Sequence, residues 1–188
     1  MRRGFLLLCL LALAAPAWAE DPALVRLMQG FAAQPRSEAR FTEEKAIPEL
    51  DLPLPSEGML RWQAPDRLEK HTTSPIEEVL RVEGGRLLYE RPDRGIRREF
   101  GLEEQPEMRV LVEAVRGTLA GDLASLRRYY EIGFTPEKPD VPWRMVLTPL
   151  SVRVRAAVQR ILVSGRGAQV RSIDTEGGGG VTRMQITP

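Results

Sequence analysis

The residues best suited to chemistry lie in the segment LRWQAPDRLEKHT, residues 60–72, which holds the chain's single histidine, His71, among basic and acidic side chains. Such a histidine could serve as the general base of a hydrolase. The sequence has no Gly-x-Ser-x-Gly elbow, however, and one histidine cannot form a multi-histidine metal site. A hydrolase that uses His71 is the weakest hypothesis, and we predict neither catalytic nor metal-binding residues.

Adjacent glutamates are the next candidates for acid–base work, and three pairs occur: Glu43-Glu44, Glu77-Glu78 and Glu103-Glu104. Neighbouring residues of a strand point to opposite faces of a sheet, so such pairs are poorly placed to share a substrate. The run Gly177 to Gly180 lacks the following helix start and Lys-Ser/Thr of a phosphate-binding loop. We therefore predict no enzymatic activity and no cofactor.

A third group consists of arginines in the segment 86–98, namely Arg91, Arg94, Arg97 and Arg98 together with Arg86. This group could contact a phosphate-bearing lipid headgroup or an acidic partner. The carboxylates Glu90 and Asp93 lie among the arginines and Glu99 directly follows them, which is typical of a solvated hairpin rim. Both interpretations stay open from the sequence.

The N-terminus has the features of a secretory signal peptide, residues 1–19. Met1-Arg2-Arg3 precedes an apolar run that is too short to span a bilayer, and Ala17-Trp18-Ala19 supplies the small residues of a cleavage site. We predict one mature domain, residues 20–188, in the periplasm if the cell has an outer membrane. It would lack cysteine, because Cys9 is removed, and its nearly balanced charge gives no case for binding nucleic acid.

The elements that must position any site alternate in type along the chain. Helical spacing over Pro22–Gln34 predicts a first helix, and a strand through Phe41 is followed by a proline-rich loop at residues 47–58. Residues 59–91 read as a meander of strands with a hairpin at Gly84-Gly85.

The second half of the chain begins with helical spacing. Residues 106–130 predict two short helices with a break marked by Gly117 and Gly121, and the second helix carries Tyr130 on its inner face. Strands resume at Trp143, with a turn or short helix over residues 151–157 and a glycine loop before the last strand.

Several predicted strands are apolar on both faces, as Met59 beside Leu60 and Val79 beside Leu80 show. A sheet with one face in water alternates more cleanly. Either both faces are covered, or one face lines an apolar cavity. The aromatic residues Trp62, Tyr89 and Trp143 could likewise line a pocket or anchor an ordinary core.

These motifs resemble those of the outer-membrane lipoprotein carriers, the LolA-like family. The matching order is a phenylalanine strand, a glycine, a strand ending in proline, a glycine hairpin that runs into an aromatic residue and proline, and a strand ending Leu-Thr-Pro. The residues concerned are Phe41, Gly58, Pro65, Gly84, Leu87, Tyr89, Pro92, Leu147, Thr148 and Pro149.

The resemblance implies an α+β fold, namely an unclosed, strongly curved antiparallel β-barrel with helices covering its concave apolar face. It implies a monomeric carrier of an acylated lipid or lipoprotein between an inner-membrane exporter and an outer-membrane acceptor. The alternative is a non-catalytic interaction module that docks through the arginines on an envelope lipid-export complex. The lipid-binding residues would be Leu60, Trp62, Leu80, Leu87, Tyr89, Met108, Leu111, Val115, Trp143, Met145 and Leu147.

One position departs from the family pattern. Lipoprotein carriers typically have Lys-Arg-Pro at the end of the strand that carries Trp62, and the arginine holds the helical lid closed. Here the residues are Gln63, Ala64 and Pro65, so the resemblance implies a carrier without that latch. Arg67 could replace the arginine only if the register of the strands differs.

Overall fold

The computed structural model describes residues 21–188, and the predicted signal peptide lies outside this range. Four helices occur within it: α1 (Pro22–Ala32), α2 (Pro106–Leu119), α3 (Leu123–Tyr129) and α4 (Val152–Arg155). The strands are β1 (Arg36–Ala46), β2 (Leu54–Gln63), β3 (Arg67–Ser74), β4 (Glu78–Glu83), β5 (Arg86–Arg91), β6 (Ile96–Gly101), β7 (Tyr130–Thr135), β8 (Trp143–Pro149), β9 (Arg160–Arg166), β10 (Gln169–Gly177) and β11 (Gly180–Thr187). None of these helices is both long and apolar enough to cross a membrane.

All eleven strands form one antiparallel sheet in the order β6-β5-β4-β3-β2-β1-β11-β10-β9-β8-β7. Within the described part of the chain, the edge strands β6 and β7 do not pair with each other, so the sheet stays open. Strands β5 and β9 are seven positions apart, about 34 Å in a flat sheet, yet both line one cavity. The sheet is therefore curved, and the predicted unclosed antiparallel barrel is confirmed.

Helix α1 covers part of the inner face of the sheet. It begins as the Asp21-Pro22 pair predicts, because the Asp21 carboxylate accepts a hydrogen bond from the Ala23 amide at 2.8 Å. Leu24, Met28 and Phe31 are buried at helical spacing. The Phe31 ring meets the ring of Trp143 edge to face, with centroids 5.9 Å apart.

Helices α2 and α3 connect the two edge strands of the sheet and cover the inner face between them. The predicted break lies at Gly121, whose φ of 67° suits glycine, and Asp122 caps α3 through the Ser125 amide. Gly117, in contrast, lies within α2. A Cβ at that position would stand 2.8 Å from Leu126 Cδ2, so its role is close packing of α3 against α2.

The predicted loop at residues 47–58 is too long, because β2 already starts at Leu54. Pro55 pairs with Glu44 of β1, whereas β3 extends along β2 only as far as Glu57. Pro55 thus lies where β2 has a free edge and where no ladder hydrogen bond is lost. Gly58 lies inside the strand beside a bulge, and a Cβ there would be 2.0 Å from the His71 carbonyl oxygen.

Two strands at the edges of the sheet were absent from the prediction. Strand β6 is rich in charge, as edge strands commonly are, which hides its alternation. Strand β7 begins at Tyr130, which the helical spacing had placed on α3. Its residues Tyr130, Ile132 and Phe134 alternate with Glu131, Gly133 and Thr135, and this period of two is the signal that could have located it.

The apolar strand residues that lie next in sequence to the inward ones are on the outer face. Met59, Val79 and Leu88 are only half-buried, beside charged cross-strand neighbours such as Arg40 and Arg81. The long stems of arginine side chains can cover apolar surface while their charged ends stay in water. The inner face, by contrast, packs against helices and lines a cavity, which resolves the alternatives that the sequence left open.

Candidate functional site

A cavity of about 540 Å³ lies between the inner face of the sheet and helices α1 and α2. Most of its wall is aliphatic or aromatic. This size and composition are typical of a binding site for a small apolar or amphipathic ligand. The wall includes Phe31, Leu60, Trp62, Leu68, Leu80, Val82, Leu87, Met108, Leu111, Val112, Val115, Leu119, Ile161, Val163, Ile173, Met184 and Ile186.

Seven of the predicted lipid-binding residues line this cavity. Strand alternation points the inner residues of β2, β4 and β5 toward it, and helical spacing places one face of α2 above it. The structure thus brings together two groups of residues that are distant in sequence. They are Leu60, Trp62, Leu80 and Leu87 on the sheet and Met108, Leu111 and Val115 on the helix.

Three predicted residues on β8 lie elsewhere. Trp143, Met145 and Leu147 point inward but are at most 1% exposed, because helices pack directly on that half of the sheet. The Trp143 Nε1 donates to the Gly167 carbonyl oxygen at 2.8 Å. These residues are core anchors and, contrary to expectation, lie outside the cavity wall.

Tyr89 also lies outside the cavity wall, although it faces inward opposite Leu80. Its hydroxyl donates to Glu78 Oε1 at 3.0 Å. Burial and this carboxylate raise the pKa of the Tyr89 hydroxyl. The bond to Glu78 holds the ring toward the start of β4 instead of over the cavity.

The other half of the cavity wall comes from β9, β10 and β11, and its residues were not predicted to bind lipid. Ile161 and Val163 alternate inward on β9, and Met184 and Ile186 do so on β11. That alternation was visible in the sequence. What was hidden is that the curved sheet brings these strands opposite β4 and β5.

The arginines of segment 86–98 do not form one site. Arg91 pairs with Asp93 at 3.0 Å, and Arg97 is bonded to Glu90. Arg97 and Arg98 are neighbours on β6 and so lie on opposite faces of the sheet. Arg94 is exposed in the turn before β6. This dispersed arrangement matches the solvated-rim interpretation better than a single headgroup or partner site.

His71 lies on the outer face, away from the cavity. Its Nε2 is 3.1 Å from Glu77 Oε1, and no other side chain of the described residues is hydrogen-bonded to the ring. Glu77, just before β4, approaches His71, whereas Glu78, the first residue of β4, binds Tyr89, so the two carboxylates of this pair do not act together. Within residues 21–188, no group of three or more acidic, histidine or cysteine residues is placed to hold a metal ion. This geometry gives the hydrolase hypothesis no support.

Helix α2 forms the roof of the cavity, and polar contacts attach it to α3 and to β7. Arg109 on α2 donates to the Tyr129 hydroxyl at 2.8 Å. The Tyr130 hydroxyl donates to the Val110 carbonyl oxygen inside the core. Burial, together with the nearby Glu113 carboxylate, raises the pKa of Tyr130 far above its usual range, so this hydroxyl stays protonated and keeps its bond.

The position of the missing latch is a turn between β2 and β3. Ala64 is exposed there, and its amide donates to the Pro35 carbonyl oxygen at 2.8 Å. Arg67 pairs across the sheet with Glu83 at 3.9 Å. Arg67 thus does not replace the latch arginine in this structure.

A polar contact crosses the apolar inner face. The Lys70 ammonium on β3 reaches both carboxylate oxygens of Glu43 on β1, each at 2.8 Å. On the way it passes over the Phe41 ring, 4.8 Å from its centroid. Lys70 and Glu43 both belong to the cavity wall.

The sequence as a whole matches a protein family. Residues 14–186 match the model of the family described as outer membrane lipoprotein carrier protein LolA-like. The chain belongs to this LolA-like family. The match extends over nearly the full sequence and confirms the resemblance found in its motifs. No curated protein matches the sequence.

Solved structures with a similar fold are distant in sequence. A LolA superfamily protein from Nitrosomonas europaea is 12% identical, with a TM-score of 0.47, over 87% of this chain and 90% of its own. The MucA/MucB complex of Pseudomonas aeruginosa contains a chain that is 13% identical, with a TM-score of 0.40, over 88% of this chain and 54% of that one. The lipoprotein LppX of Mycobacterium tuberculosis is 9% identical, with a TM-score of 0.40, over 89% and 94%.

Proposed function

We propose that this LolA-like protein carries an acylated lipid or lipoprotein across the periplasm, with the acyl chains held in the cavity between α2 and the sheet. The observation that carries this proposal is the cavity of about 540 Å³, whose wall is mostly apolar. Membership of the family supports it. No covalent chemistry is required for this function.

Burial of the ligand's hydrocarbon supplies the affinity. Each methylene transferred from water into the cavity contributes about 0.8 kcal/mol. A carrier must also release its ligand, so the roof has to separate from the sheet. Helix α2 meets β4 and β5 through a small cluster of four buried residues, Val82, Leu87, Leu102 and Val112, whereas the main core is much larger. This smaller cluster is the simplest place for the roof to open.

The cellular route is part of the same proposal. Cleavage of residues 1–19 would release the mature chain, residues 20–188, as a monomer in the periplasm. It would receive its cargo from an inner-membrane exporter and deliver it to an outer-membrane acceptor. Ala64 in place of the latch arginine suits a carrier whose cargo is not restricted to lipoproteins. The alternative, an interaction module that uses the arginines, finds less support because those arginines are dispersed.

Native mass spectrometry of the mature chain, incubated with an acylated lipid, tests the proposal. We expect a complex with one ligand, and Leu111→Asp should lower its yield at least tenfold, because a carboxylate in the cavity must be desolvated when the chain enters. The matched control is Leu52→Asp, since Leu52 is 76% exposed and lies outside the cavity wall. It should bind as the unaltered protein does.

A second variant guards against a folding defect. Leu111→Trp keeps the roof apolar but fills part of the cavity, so it should also lower ligand uptake while circular dichroism shows an unchanged fold. The proposal fails if the unaltered protein takes up no acylated ligand. It also fails if both Leu111 variants, folded normally, bind as well as Leu52→Asp.

A further inference from the structure

A group of polar side chains lies at one end of the cavity wall. This end, hereafter the cationic end, lies where β1, β11 and β10 run side by side, and Lys70 reaches it from β3. It consists of Glu43, Lys45, Lys70, Thr175 and Thr182. Lys45 stands opposite Thr182, and Thr182 stands opposite Thr175, in the register of the sheet. These side chains therefore form a continuous polar area beside the apolar wall.

The ion pair at this end is costly for a purely structural contact. The side chains of Lys70 and Glu43 are only 25% and 15% exposed, so both charges have lost much of their hydration. Replacing such a pair by apolar residues is often neutral or stabilising. Besides Lys70, the Glu43 carboxylate accepts one hydrogen bond from the Ser56 hydroxyl at 3.3 Å. An interaction with a ligand would give the buried charges a function.

The remaining groups at the cationic end are available to a ligand. Lys45 is exposed and has no ion-pair partner among the described residues. The hydroxyls of Thr175 and Thr182 have no side-chain hydrogen bond within the same range. Two ammonium groups against one carboxylate leave an excess of positive charge. The side chain of Arg61 adds no cation to the cavity, because it lies on the outer face of β2, bonded to Glu69 at 2.8 Å and Glu38 at 3.4 Å.

We infer that the cationic end binds the anionic headgroup, a phosphate or a carboxylate, of the amphipathic ligand whose chain occupies the apolar part of the cavity. Lys45 binds the anion directly. Glu43 holds Lys70 across Phe41, so that one ammonium proton remains directed to the headgroup, and the two threonine hydroxyls donate to its oxygens. The inference rests on the proposed function, because the chain must enter the same cavity.

Amphiphiles with one alkyl chain and different headgroups test this inference. Hexadecyl phosphate, palmitate and hexadecanol are each titrated, below their aggregation concentrations, against the mature protein loaded with a fluorescent acyl probe. Charge-assisted hydrogen bonds predict that at least one of the two anions displaces the probe about tenfold more tightly than hexadecanol. The stronger of the two anions distinguishes a phosphate-bearing ligand from a carboxylate.

Variants locate the preference. Lys45→Met and Lys70→Met should each reduce the preference for the anion severalfold while hexadecanol still binds, and Glu43→Gln should increase it. Lys138→Met is the matched control, since Lys138 is exposed outside the cavity, and it should change nothing. Equal binding of all three amphiphiles overturns the inference but leaves the carrier proposal standing. Failure of all three to bind overturns the carrier proposal as well.

Discussion

Asp174, on the outer face of the sheet, is a partly buried carboxylate that lacks a full set of hydrogen bonds. Its Oδ1 is buried and accepts no hydrogen bond within the described residues. Burial raises the pKa of Asp174, and Glu176 adds to the rise, whereas Arg183 and Arg144 oppose it. A carboxyl group whose pKa is higher in the folded protein than in the unfolded chain lowers stability once the pH exceeds both values.

Asp174→Asn should therefore stabilise the protein at neutral pH. The folded state binds the proton more tightly, so the free energy of unfolding falls as the pH rises from the unfolded pKa, near 3.9, through the folded one. Below that range both states are protonated and the gain should disappear. Urea denaturation at pH 7 and pH 3 measures it, and a variant that is less stable at pH 7 would contradict this explanation.

At the scale of the element, the packing of α3 on α2 depends on the absence of a side chain at Gly117. A Cβ there would approach Leu126 Cδ2 and Cγ to 2.8 Å, and Leu126 is fully buried. The two helices would have to move apart. This contact matters for function because α2 is the roof of the cavity.

Gly117→Ala should destabilise the fold by about 1–3 kcal/mol, the usual range for overpacking of a core. Gly179→Ala is the matched control, because nothing lies within 4 Å of a Cβ at that position. Urea denaturation compares the two variants. If Gly117→Ala is as stable as Gly179→Ala, the helices are not packed as described, since alanine alone would favour the helix.

Most helices and central strands follow from sequence patterns, whereas two strand features do not. Helix α1, the two central helices and the strands between residues 59 and 91 were predictable, because their periodicity and caps agree with their tertiary environment. Strand β6 was hidden because an edge strand carries charge on both faces. The start of β2 was hidden because Pro55 reads as a loop residue unless one knows that β3 stops at Glu57.

The cavity wall was predictable only in part for a related reason. Alternation tells that Leu60 and Leu147 both point inward, but only the tertiary structure tells that helices pack directly on Leu147 and leave space above Leu60. No role was predicted for Lys70, although it lies in the charged segment 60–72. The signal in the sequence that could have identified it is a charged residue at an inward position of an alternating strand.

At the scale of the whole molecule, the open sheet and its helical roof enclose the cavity. The sheet curves far enough to bring β5 and β9 to one cavity. Helices α2 and α3 cover the gap between the edge strands β6 and β7. An open barrel whose helical roof separated from the sheet would accept a long chain along its open side, whereas a closed barrel would admit it only through its mouth. We propose that acyl chains occupy this space.

Photocrosslinking with a diazirine-labelled fatty acyl ligand, followed by peptide mapping, tests that claim most directly. We predict that the label attaches to α2 and to the inward residues of β2, β4 and β9, and that Leu111→Trp strongly reduces it. Attachment mainly to the outer face around His71, or a pattern that Leu111→Trp leaves unchanged, would contradict the account.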